Sequence, residues 1–79
     1  MGTINNLQIF ERIHYLIQNK RTGSPKEFAR KLKISERTLY RKLDELRSYG
    51  AIISYDYLSS SYTYENSFNL KLVIKNNHW

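Results

Sequence analysis

Arg37 and Arg41 stand four residues apart in a stretch that also carries leucines at 39, 43 and 46. At ~100° per residue, the three leucines of such a helix fall within about 60° of one another, and the two arginines lie almost opposite. The helix would bury its leucines and hold out two guanidinium groups side by side. A guanidinium is a planar fork of N–H donors, matched to phosphate oxygens and to the O6/N7 edge of guanine in a major groove. Thr38 and Tyr40 flank the pair, and Ser35 stands where the helix would be capped. A helix kept soluble by its arginines would show the same split, so the surroundings must decide.

Charge is the first of those surroundings. The 79 residues carry 13 Lys plus Arg against 7 Asp plus Glu, a net +6. Residues 20–47 hold Lys20, Arg21, Lys26, Arg30, Lys31, Lys33, Arg37, Arg41, Lys42 and Arg47 against only Glu27, Glu36, Asp44 and Glu45. The whole net charge therefore sits in the middle third, and the rest of the chain is neutral. A basic stripe confined to one region is the footprint of a polyanion partner.

The elements that would carry these side chains can be read from period and punctuation. Ile4, Leu7, Phe10, Ile13 and Ile17 recur at threes and fours, predicting a first helix over about 4–20 that Gly23 breaks. Ser24-Pro25-Lys26-Glu27 combines a cap, a proline suited to the first helical position and a capping-box glutamate, opening a short helix over 25–32. Its apolar face is Phe28, Ala29 and Leu32, with Ala29 small enough for a close helix approach. Lys33-Ile34-Ser35 is then a turn, with Ile34 as an apolar plug and Lys33 at a position that favours glycine. Ser35 caps a third helix over about 36–49, closed by Gly50.

After Gly50 the chain becomes β-like. Residues 51–57 are rich in β-branched and aromatic types, Leu58 to Ser61 make a turn, and 62–65 return as a second strand. Phe68, Leu70, Leu72 and Ile74 alternate with mostly polar residues, predicting a third strand over 68–75. The expectation is a single α+β domain over 1–79: a three-helix bundle, a hairpin and a C-terminal strand. Five of the seven tyrosines fall between 49 and 64. Tyrosine fits a half-buried strand, which is favoured here over base stacking on a single strand.

Much chemistry is excluded. There are no cysteines, and His14 and His78 are far apart without ligand-like company, so no metal or other cofactor is expected. No catalytic constellation or glycine-rich phosphate loop can be assembled, so an enzyme is not expected. No apolar run approaches a membrane span, and the N-terminus lacks a secretory pattern. The expectation is a soluble cytoplasmic protein.

Two short helices joined by a tight turn, the second basic outside, make a helix-turn-helix. The run from Gly23 to Leu32, followed by Ile34-Ser35-Glu36-Arg37-Thr38-Leu39-Tyr40-Arg41, resembles the winged helix-turn-helix of bacterial transcription regulators, the DeoR-like and related small domains. The likeness runs from residue 4 to about 65. It implies a nucleoid-associated, double-stranded-DNA-binding protein with its recognition helix, 35–48, in the major groove. Ser35, Arg37, Thr38 and Arg41 would take the recognition contacts, and 51–64 would form the wing. Lys26, Arg30, Lys31, Lys33, Tyr40 and Lys42 would meet the DNA backbone. The wing has no Lys or Arg between Asp56 and Glu65, so a protein-binding module using a neutral, tyrosine-rich wing is the rival reading. Pairing of two copies through the C-terminal strand would let one assembly cover two half-sites.

Overall fold

A computed structural model describes the backbone from Asn6 to Leu70 and the side chains from Gln8 to Leu70. Three helices, α1 (Asn6–Gln18), α2 (Pro25–Leu32) and α3 (Glu36–Ser48), precede two strands, β1 (Ile53–Asp56) and β2 (Ser61–Tyr64). The strands pair antiparallel, with Ile53 opposite Tyr64 and Tyr55 opposite Tyr62. Three helices followed by a two-stranded hairpin give the α+β, winged helix-turn-helix arrangement expected.

The helix starts follow the local chemistry of the sequence. Ser24 Oγ accepts from the Glu27 N–H at 3.2 Å, and Glu27 Oε1 accepts from the Ser24 N–H at 2.9 Å, a complete capping box on α2. That bond and the nearby Lys31 and Arg30 charges hold the Glu27 carboxyl below its usual range. Gly23 is needed just before it: its φ is +72, and a Cβ there would lie 2.7 Å from Glu27 Oε1.

All three helices end in the same way. The sixth residue's N–H returns to the first residue's carbonyl: Arg21 to Leu16, Ile34 to Ala29 and Ala51 to Leu46. Inside each, an N–H three residues on closes the tighter bond, from Lys20, Lys33 and Gly50. This Schellman geometry puts the penultimate residue in the left-handed region, and Lys20, Lys33 and Gly50 have φ of 54, 59 and 106. The break expected at Gly23 therefore comes earlier, at Lys20. Lys33 does take the backbone that glycine would take more cheaply.

Phe10, Ile13 and Ile17 of α1, Phe28, Ala29 and Leu32 of α2, and Leu39, Leu43 and Leu46 of α3 form the buried centre. Ile34, the turn plug, packs half-buried against it. Ile4 and the side chain of Leu7 lie outside the described residues. Ile53 and Tyr62 join this core from the hairpin, and Ala51 from the segment leading into it.

The third strand is a correction. Phe68 and Asn69 are irregular and Leu70 has helical backbone; residues 71–75 lie outside the described residues. Two buried apolar residues at alternate positions need only a segment that crosses the core once. Leu70 is buried and Phe68 half-buried, each against the domain's own core. The serine turn is shifted by one residue: Tyr57 already belongs to it, and Ser61 is in β2 and fully buried.

Candidate nucleic-acid interface

α3 is positioned by its leucines. With Leu39, Leu43 and Leu46 sealed in the core, Arg37 and Arg41 emerge exposed on the opposite side. Neither is held by a hydrogen bond or an ion pair among the described residues. At the start of the helix, Ser35 Oγ accepts from the Thr38 N–H at 3.1 Å and donates to Thr38 Oγ1 at 3.0 Å. Ser35 is exposed and Thr38 half-buried, so these two hydroxyls form a small polar unit committed first to the cap. Tyr40 is exposed on the flank of the same helix.

α2 adds a second cationic surface. Lys26 and Arg30, one helical turn apart, are exposed, as is Lys33 in the turn. Lys31 is exposed but employed: its ammonium donates to the Arg21 carbonyl at 2.6 Å, joining α2 to the segment after α1.

Lys42 does not stand with the others. Its side chain is only 17% exposed; Nζ lies 5.2 Å from the centre of the Phe10 ring and 3.9 Å from a Glu45 oxygen. On the helical wheel Lys42 is about 60° from the leucines, so its stem lies along apolar surface and its head is drawn to a ring on α1. Arg47, counted in the basic run, is also a tie. It donates to Asp44 Oδ1 at 3.0 Å and to the Ile53 carbonyl at 3.1 Å, strapping the end of α3 to β1.

The hairpin is seated on α1 through β2. It starts at the Arg47–Ile53 strap, beside the C-terminal end of α3. Four residues, Tyr57 to Ser60, join the strands. The hairpin is pinned by a pair that sequence reasoning missed, Thr22 and Ser61, both fully buried. Thr22 Oγ1 accepts from the Tyr62 N–H at 2.8 Å, Ser61 Oγ accepts from the Thr22 N–H at 3.2 Å, and the hydroxyls are 3.1 Å apart. Nothing local marks such a pair, because its members are 39 residues apart. Asn66 closes the open end, accepting from the Ile52 N–H and donating to the Gly50 carbonyl.

Among the described residues no three His, Cys, Asp or Glu side chains gather to hold a metal, and no helix is long and apolar enough to cross a membrane. His14 is half-buried, with Nδ1 2.8 Å from the Tyr64 hydroxyl, and burial lowers its pKa. Burial raises that of Tyr64. This pair joins α1 to β2 on the side of the hairpin near Phe68.

Three helices, the third with Arg37 and Arg41 free of partners among the described residues, followed by an antiparallel hairpin, define a winged helix-turn-helix of the DNA-binding class. A family-model comparison agrees: residues 8–56, more than half of the chain, match HTH_11, an HTH domain. The chain belongs to this helix-turn-helix family, whose character suggests DNA as its partner. No curated protein and no solved structure matches it significantly.

Proposed function

We propose that the protein binds double-stranded DNA sequence-specifically, with α3 in the major groove, as a bacterial transcription regulator or an accessory factor of mobile DNA. The observation that carries this reading is a pair of arginines, without a partner among the described residues, opposite three buried leucines. Arg37 and Arg41 reach base edges, where a bidentate guanidinium–guanine contact discriminates by ~1–3 kcal/mol. Ser35 and Thr38 meet bases or phosphates at the entering end of the helix. Lys26, Arg30 and Lys33 neutralise phosphates, with Tyr40 as a hydroxyl donor beside them. Lys31 joins them at the cost of its bond to Arg21. Lys42 is left out of the set, because its ammonium lies over Phe10. Docking requires no covalent step. A cytoplasmic, nucleoid-associated location belongs to the same reading.

A single helix in one groove contacts only a few base pairs, so the reading extends to two copies on neighbouring half-sites. The C-terminal segment is the proposed contact, through residues beyond Leu70. Sedimentation of the full chain at tens of micromolar tests it: a folded monomer there rejects the dimer.

Selection of bound duplexes from a random pool, followed by mobility shifts across salt concentrations, tests the main reading. A recurring half-site and a steep fall of affinity with salt are expected. Absence of binding at low salt would instead favour a protein-interaction module, which the cation-free hairpin would suit.

A further inference from the structure

The outward face of α3 carries an acid between its cations. Around the helix axis, at ~100° per residue, Asp44 falls about 20° from Arg37 and about 60° from Arg41, on the side away from the leucines. The other two acids of α3 stand elsewhere. Glu36 lies about 100° from Arg37. Glu45, about 80° round on the other side, is 3.9 Å from the Lys42 ammonium. The Asp44 side chain is 74% exposed. A carboxylate set on a cationic face is repelled by every phosphate, so a DNA-binding surface gains nothing from it by charge alone.

This carboxylate is also held in place. Its Oδ1 accepts from Arg47 Nη1 at 3.0 Å, and Nη2 of the same guanidinium donates to the Ile53 carbonyl at 3.1 Å. An exposed ion pair on one helix must order two long side chains by itself. Here the arginine is anchored to a strand, so the acid is fixed from outside its own helix. Oδ2 has no partner among the described residues. The outward face therefore offers a positioned acceptor beside two free guanidinium donors.

An ionised carboxylate accepts hydrogen bonds and donates none. In the major groove the base donors are the cytosine N4 and adenine N6 amino groups, whereas guanine shows two acceptors and thymine an acceptor and a methyl group. Adenine sets its N7 acceptor next to N6, against the carboxylate, which leaves cytosine the best match. The position along the helix suits this use. At ~1.5 Å per residue, Arg41 stands about 6 Å beyond Arg37, and Asp44 about 4.5 Å beyond Arg41. With bases ~3.4 Å apart along a strand, these are about two steps and one to two steps. We propose that Asp44 is a specificity-determining residue of the DNA site, accepting from the N4 amino group of a cytosine one or two steps beyond the base pair read by Arg41. The preferred duplex is then one in which the guanines met by Arg37 and Arg41 are followed by a C·G pair. Guanine or thymine facing Asp44 would set acceptor against acceptor.

The inference rests on α3 being the base-reading helix, and the test separates the two. The full chain, unaltered and as Asp44→Asn, Asp44→Ala, Arg37→Ala and Arg41→Ala, is used to enrich duplexes from a random pool. These side chains are exposed, and circular dichroism verifies folding. Competition at one salt concentration between duplexes that differ only at the C·G pair then measures the preference there. The unaltered chain should favour C·G over A·T about tenfold, the low end of what a good base contact gives. Asp44→Ala should bring this below about twofold. Asp44→Asn should turn it toward A·T, because an amide accepts from N6 and donates to N7 of adenine. Unchanged preferences in both Asp44 variants, with Arg37→Ala and Arg41→Ala still relaxing theirs, overturn the role of Asp44 and leave the base-reading intact. Tighter binding of every duplex by both Asp44 variants, with the C·G preference kept, also overturns it, since Asp44 then only repels phosphates. A half-site that neither arginine variant alters overturns the base-reading, and the Asp44 inference with it.

Discussion

Thr22→Val should be among the most damaging single changes available without altering volume much. The valine keeps the shape but deletes the oxygen that accepts from the Tyr62 N–H at 2.8 Å. That N–H points away from β1, and both Thr22 and Tyr62 are buried, so no water replaces the lost acceptor. One buried unsatisfied donor costs about 1–3 kcal/mol. The Gly23 carbonyl also loses the Thr22 hydroxyl, and the Ser61 hydroxyl loses one of its three contacts, which adds roughly 1 kcal/mol. The expected loss is therefore about 2–4 kcal/mol, a large share of the ~5–15 kcal/mol that holds a small domain folded. For a chain of this size it lowers Tm by roughly 10–25 °C. Urea and thermal unfolding followed by circular dichroism would measure it, beside Ser61→Ala and the double variant. The two single losses should add to clearly more than the double loss, since each removes the same contact. A Thr22→Val loss below about 1 kcal/mol, or strict additivity, would refute the claim that this pair pins the hairpin.

Arg37→Ala and Arg41→Ala should each cost ~1–3 kcal/mol on the preferred duplex and relax selectivity, read by competition with scrambled duplexes. Lys33→Gly should separate stability from binding. Glycine relieves the left-handed backbone, stabilising by up to ~1 kcal/mol, while loss of one cation should flatten the salt dependence by about one ion. Lys42→Met should leave DNA affinity within twofold, about 0.4 kcal/mol, because its charge is over Phe10; a larger, salt-dependent loss would return Lys42 to the interface. His14 sets a pH dependence. Its folded pKa is lowered from the ordinary 6.5 by burial, so the unfolded chain takes up the proton first. Its stabilising contribution is full above pH 6.5 and lost as the pH falls through the lowered value. Tm of the unaltered chain should decline below pH 6.5, and His14→Phe should flatten that decline.

The amino-acid sequence determined the features whose causes lie within a few residues of one another. The periods of α1 and α3, the capping box of Ser24 and Glu27, the Ser35 cap and the left-handed turn at Lys33 are local energetics, legible one helical turn at a time. So is the split of α3, because three leucines at spacings of four and three allow one outward direction for Arg37 and Arg41. Only the tertiary structure decided which cations stay available. Lys42 and Arg37 are equal in charge and share a helix, but a phenylalanine 32 positions before Lys42 takes its ammonium, and a strand carbonyl takes Arg47. Phe68 to Leu70, the described start of the expected third strand, were misread for the same reason. Alternation at Phe68 and Leu70 reports two buried positions, which a strand satisfies and an irregular crossing of the core satisfies equally. Thr22 and Ser61 carried no signal at all, since a hydroxyl looks the same in sequence whether it faces water or a buried amide 40 residues away.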